Sequence, residues 1–79
     1  MAARLRKGMW AIYNDGVNSL TGIITDFRED LIEFHVVDPA GDTIGIRLVP
    51  ACTLTQASLS SIPVPRRPVD ERAKAFGYL

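Results

Sequence analysis

The chain has 79 residues, 47% apolar and 23% charged, with nine basic and nine acidic side chains that leave a net charge of zero. That balance fits one folded domain and excludes a disordered chain, while the length excludes a large buried active site. No run approaches the roughly 18 consecutive apolar residues of a membrane-spanning helix, and the single cysteine, Cys52, excludes an internal disulfide.

The zero charge hides a division. Arg4, Arg6 and Lys7 make residues 1–7 net +3, residues 8–62 set Arg28 and Arg47 against seven acids for −5, and residues 63–79 are +2. An acidic body thus carries two basic ends. With one thiol and no apolar leader of signal-peptide length, the cytoplasm is the expected compartment, or a virion if the chain is phage-borne. Cys52 has no second cysteine and no near histidine to pair with, so it reads as a small buried hydrophobe.

Met9 to Tyr13 is an aromatic-rich strand, ended by Asn14-Asp15-Gly16, whose residues tolerate the positive φ of a tight turn. Val17 to Phe27 is the second strand, in which Gly22 marks a bend or a close backbone approach. After the charged turn Arg28-Glu29-Asp30, Leu31 to Val37 and Thr43 to Val49 form a hairpin about Asp38-Pro39-Ala40-Gly41-Asp42. Alternation of Ile32, Phe34 and Val36 with Glu33 and His35, and of Ile44, Ile46 and Leu48 with Gly45 and Arg47, predicts one register. Val37 opposes Thr43, Phe34 opposes Ile46, Ile32 opposes Leu48, and Glu33 meets Arg47 on the wet face. Pro50 ends that strand, Cys52 to Gln56 makes the fifth, and Ala57 to Ile62 a helical turn. Five short strands without a long helix between them predict an all-β fold, a small bent antiparallel barrel over residues 1–62.

Lys7-Gly8 and the strand after it, Leu20-Thr21-Gly22-Ile23-Ile24, and Leu31 to Val37 resemble the KOW and Tudor-like branch of SH3-like barrels over residues 7–56. The resemblance implies a five-stranded SH3-like barrel and, in the KOW case, nucleic-acid binding through Arg4, Arg6, Lys7, Arg66 and Arg67. The Asn14 to Ser19 loop lacks the basic residues of such modules. Ile62-Pro63-Val64-Pro65-Arg66-Arg67-Pro68, with the segment that follows and Gly77-Tyr78-Leu79, is similar to the tails of small proteins of tailed phages and prophages, which implies an assembly role.

Residues 63–79 read as a proline-rich strap followed by a short helix. Pro63, Pro65 and Pro68 favour an extended polyproline-like course, and Asp70, Glu71 and Gly77 are placed to start and stop a helix over Val69 to Phe76. Val69, Ala73 and Phe76 form a narrow apolar stripe that needs a covering surface. With Arg66, Arg67 and Tyr78 they are the candidate partner-binding residues.

No catalytic, cofactor or metal constellation is present in the sequence. His35 beside Glu33 lacks a nucleophile, Asp26, Glu29 and Asp30 lack the spacing of a calcium loop, and Pro65-Arg66-Arg67-Pro68 reads as a strap before it reads as a free PxxP ligand. Trp10 and Tyr13 fall on opposite strand faces, one for the core and one for the tail to cover. The sequence therefore points to a non-catalytic protein-binding or assembly module, with itself as one possible partner, and to a KOW-like nucleic-acid binder as the alternative.

Overall fold

The computed structural model describes residues 4–68. Among these, five strands form one antiparallel sheet: β1 (Trp10–Asn14), β2 (Ser19–Arg28), β3 (Leu31–Val37), β4 (Thr43–Pro50) and β5 (Leu54–Gln56), in the order β4-β3-β2-β1-β5. Single turns of 3-10 helix lie at Ala51–Thr53, Leu59–Ser61 and Val64–Arg66, and no helix among the described residues is long and apolar enough to cross a membrane.

The order dictates a strong curl. In a flat sheet β4 and β5 would stand four strand spacings apart, about 19 Å, yet only Ala51–Thr53 joins them. The four Cα steps from Pro50 to Leu54 reach at most about 14 Å even when extended. The sheet therefore wraps its two edges toward each other around Ala11, Tyr13, Ile24, Ile32, Phe34, Val36, Val49 and Leu54, with Leu5, Met9 and Leu20 packed against them. No ladder joins β4 to β5.

Gly22 makes this curl possible. A Cβ placed there would collide with the His35 carbonyl oxygen and lie 2.8 Å from the Phe34 ring, so β2 and β3 approach at a distance only glycine permits. Three residues later β2 bulges at Thr25, between the pairs Ile24↔Phe34 and Asp26↔Glu33. A bulge adds local twist and bends the strand that carries it.

The central hairpin departs from its predicted register. Val37 does oppose Thr43, and the turn is tied by Asp38, whose Oδ1 accepts the Asp42 N–H at 2.9 Å and whose carbonyl accepts the Gly41 N–H at 2.9 Å. Gly41 supplies the left-handed φ of 93° that this turn requires. One residue later β4 bulges, and from Val36↔Gly45 onward the pairs are His35↔Ile46, Phe34↔Arg47, Glu33↔Leu48 and Ile32↔Val49. Phe34, Ile32 and Val36 are buried as expected, whereas Ile46 is not. The physical reason is volume. Phe34, Ile24 and Tyr13 already fill the interior of a small curled sheet, and three more large side chains would overpack it. The slip turns Gly45, Arg47 and Val49 to the inner face instead: Val49 is buried, Gly45 half-buried and Arg47 exposed, its guanidinium 5.8 Å from the centroid of the Tyr13 ring.

Two further expectations are corrected. Cys52 is exposed, because Pro50 ends β4 and the next turn is a 3-10 corner, so β5 starts only at Leu54 and Cys52 has no inward strand position. The strap is not wholly extended: Arg66 N–H donates to the Pro63 carbonyl at 2.8 Å and Arg67 N–H to the Val64 carbonyl at 3.2 Å. Proline at the start of a helical turn has no N–H to lose, so Pro65 is compatible with it. The helix read over Val69 to Phe76 lies outside the described residues.

Candidate partner-binding surface

Among the described residues β4 is an edge strand, paired to β3 on one side only. Within them its other side has no ladder partner, so its backbone N–H and C=O groups are a template for another strand. The register slip lines this edge with apolar side chains: Ile44 is 63% exposed, Ile46 63% and Leu48 53%. Isolated exposed apolar residues are ordinary, but Ile46 and Leu48 stand at alternate positions of this edge, with Ile44, the extra residue of the bulge, next to them in the chain. A cleft of about 450 Å³ under the strap, lined in part by Thr21, Val37, Ile62, Pro63 and Val64, also includes Ile44, so the apolar surface extends from the cleft onto the edge.

Beside the stripe lies a polar cluster on β2 and β3. Glu33 Oε1 accepts from Thr25 Oγ1 at 2.9 Å and meets His35 Nε2 at 3.2 Å, while its Oε2 accepts from Arg28 Nε at 3.1 Å. The Thr25 hydrogen bond first, and the His35 contact second, hold the Glu33 carboxyl below its ordinary range. Lys7 Nζ lies 3.1 Å from Asp26 Oδ1, and this contact lowers the Asp26 carboxyl as well. The cluster engages both Glu33 oxygens, with Thr25 Oγ1 and His35 Nε2 meeting at Oε1 and Arg28 at Oε2. Among the described residues no group of three metal-ligating side chains converges.

The strap uses its cations on the chain itself. Arg66 Nη1 donates to the Gly41 carbonyl at 2.9 Å, tying the strap to the β3–β4 turn, and its guanidinium sits 5.5 Å from the centroid of the Trp10 ring. Arg67 Nε donates to the Ile62 carbonyl at 2.7 Å and its Nη2 to the Ser60 carbonyl at 3.0 Å. Trp10 is thus covered by the strap while Tyr13 enters the core, the division expected from their alternation. Arg6 and Lys7 border a second depression with Trp10, Gln56 and Ile62, Arg66 lies over the Trp10 ring, and Arg4 is exposed. Val69, Ala73, Phe76 and Tyr78 lie outside the described residues.

At the opposite end of β1, Asp15 organises the turn into β2. Its Oδ1 accepts the N–H groups of Val17 at 2.9 Å and Asn18 at 2.7 Å, and its Oδ2 accepts the Tyr13 hydroxyl at 2.9 Å. These donors, the Asn18 and Val17 amides foremost, push the Asp15 carboxyl down to about 2. The same carboxylate raises the Tyr13 phenol through that hydrogen bond.

Sequence reasoning missed Ile44, Ile46 and Leu48 as surface residues. Their parity made them the better core set, and only the slip at Ile44 reverses it. No protein-family model, no curated protein and no solved structure matches this chain.

Proposed function

We propose that this protein is a non-catalytic protein-binding module that engages its partner through the β4 edge. The observation that carries the reading is the free strand β4 with Ile44, Ile46 and Leu48 exposed along it. A strand added there gains main-chain hydrogen bonds for affinity and alternate side-chain contacts for specificity. Full burial of such side chains contributes about 1.5–3 kcal/mol each, a useful supplement for a domain whose own core supplies roughly 3–5 kcal/mol. The sheet order with its short β4-to-β5 corner supports an SH3-like barrel as the scaffold. The likeness of the tail to small phage and prophage proteins makes an assembly or accessory protein the favoured setting.

The nucleic-acid reading draws on Arg6, Lys7 and Arg66 around Trp10. It is the weaker one, because Lys7 is paired with Asp26 and Arg66 and Arg67 are occupied by backbone carbonyls. A photo-crosslinking residue at position 48, compared with one at the 89% exposed Val17, tests the two. Protein adducts formed from position 48 alone support the edge. Nucleic-acid binding whose log affinity falls steeply with log salt would overturn it.

A further inference from the structure

β4 has nearly the same side-chain pattern in both directions about Ile46. Gly45 and Arg47 flank it, and Ile44 and Leu48 stand one step further out. An antiparallel pairing of two such strands about a two-fold axis at Ile46 sets Ile46 against Ile46, Ile44 against Leu48, and Gly45 against Arg47. Building on the partner-binding reading above, we propose that the occupant of the β4 edge is a second copy of this chain, paired antiparallel through β4 about Ile46.

Each exposed apolar side chain of the strand then meets another. Arg47 of one copy lies opposite Gly45 of the other, and a Cβ at Gly45 would have nothing within 4 Å, so the arginine stem has room. Neighbouring registers lose these matches. An axis at Arg47 opposes like charges, an axis at Gly45 sets Leu48 against Asp42, and a one-residue shift opposes Ile46 to Arg47. The zero net charge of the chain means that two copies do not repel as wholes. Growth stops at two, because the other edge of the sheet is β5, three residues long.

Gly45 gives the test, since it lies outside the left-handed region and its Cβ position is open, so the single chain accommodates a side chain there. Sedimentation equilibrium of the full chain is compared for wild type, Gly45→Glu, Gly45→Lys and Ile46→Lys, with melts of each below its dimer range to verify folding. The expected result is a wild-type dimer, a monomer for Ile46→Lys, a dissociation constant about 2- to 30-fold tighter for Gly45→Glu through two new pairs with Arg47, and a looser one for Gly45→Lys. A dimer indifferent to all three substitutions would place self-association elsewhere and overturn the proposal. A wild-type chain that stays monomeric would overturn it too. In that case the position-48 crosslinker separates the causes: adducts to a different protein leave the edge reading standing, adducts to residues 69–79 show the chain's own tail seated there, and no adducts remove the edge reading as well.

Discussion

Two threonine substitutions on β4 distinguish the observed register from the one that alternation alone suggests. Val49 is 4% exposed and faces Ile32, so Val49→Thr keeps the shape and β-propensity of the side chain but buries a hydroxyl, at a cost of about 2 kcal/mol. In a domain of this size each kcal/mol moves the melting temperature by about 4–8 °C, so the variant should melt about 8–16 °C lower. Ile46 is 63% exposed, so Ile46→Thr removes little buried surface and should cost no more than about 0.5–1 kcal/mol. Thermal melts followed by far-ultraviolet circular dichroism read both, at concentrations low enough that association does not add to Ile46. Under the unslipped register Ile46 would be core and Val49 surface, and the order of the two effects would reverse. A larger loss at Ile46 than at Val49 would refute the bulge.

Gly22→Ala should destabilise the fold by about 3 kcal/mol or more, because the new Cβ meets the His35 carbonyl and the Phe34 ring, whereas Gly45→Ala, with open space, should be neutral or mildly stabilising; urea titrations of the pair measure the difference. Arg66→Ala should loosen the strap by about 1–2 kcal/mol through loss of the Gly41 hydrogen bond and the contact with Trp10, and the emission of the single tryptophan should shift to the red as water reaches it. Asp15 is held down to about 2 from 3.8, so folding favours its charged form; the contribution is complete above about pH 4 and is lost as pH falls toward 2. The melting-point gap between wild type and Asp15→Asn should therefore be constant near neutrality and close over that acidic window.

Period-2 alternation located β1 to β4 to within about two residues, a strong local signal because each strand has one buried face. The same alternation placed Phe34 inward and split Trp10 and Tyr13 between opposite faces, of which the structure gives Tyr13 to the core and Trp10 to the strap. It failed at Ile44, where the turn and the first pair, Val37 with Thr43, are as read but an extra residue follows. Nothing local to Thr43-Ile44-Gly45-Ile46-Arg47 encodes that slip, since the apolar set there is the better core set by composition. What decides it is the volume already taken by Phe34, Ile24 and Tyr13 across the sheet, a tertiary quantity. Cys52 went astray because a fifth strand read from Cys52 starts too early: the chain first turns a 3-10 corner over Ala51–Thr53, and β5 begins only at Leu54. The candidate surface was hidden by the same slip, because residues assigned to the core are not searched as an interface. Arg66 and Arg67 are candidate partner residues in a segment that reads as a strap, and in the structure they donate to the carbonyls of Gly41, Ile62 and Ser60.

The edge-pairing account stands most directly on one contact. Within a single chain Ile44 and Leu48 are four strand residues apart, about 13 Å, too far for a methyl–methyl Overhauser effect. In the two-fold pair the Ile44 methyls of one copy lie beside the Leu48 methyls of the other. An isotope-filtered spectrum of a mixed sample, one half of the chains labelled at isoleucine methyls and the other at leucine methyls, should show the cross-peak from Ile44 to Leu48 and lose it in Ile46→Lys. A dimeric sample without that cross-peak, or with Ile46 methyls contacting only residues of its own chain, would contradict the account.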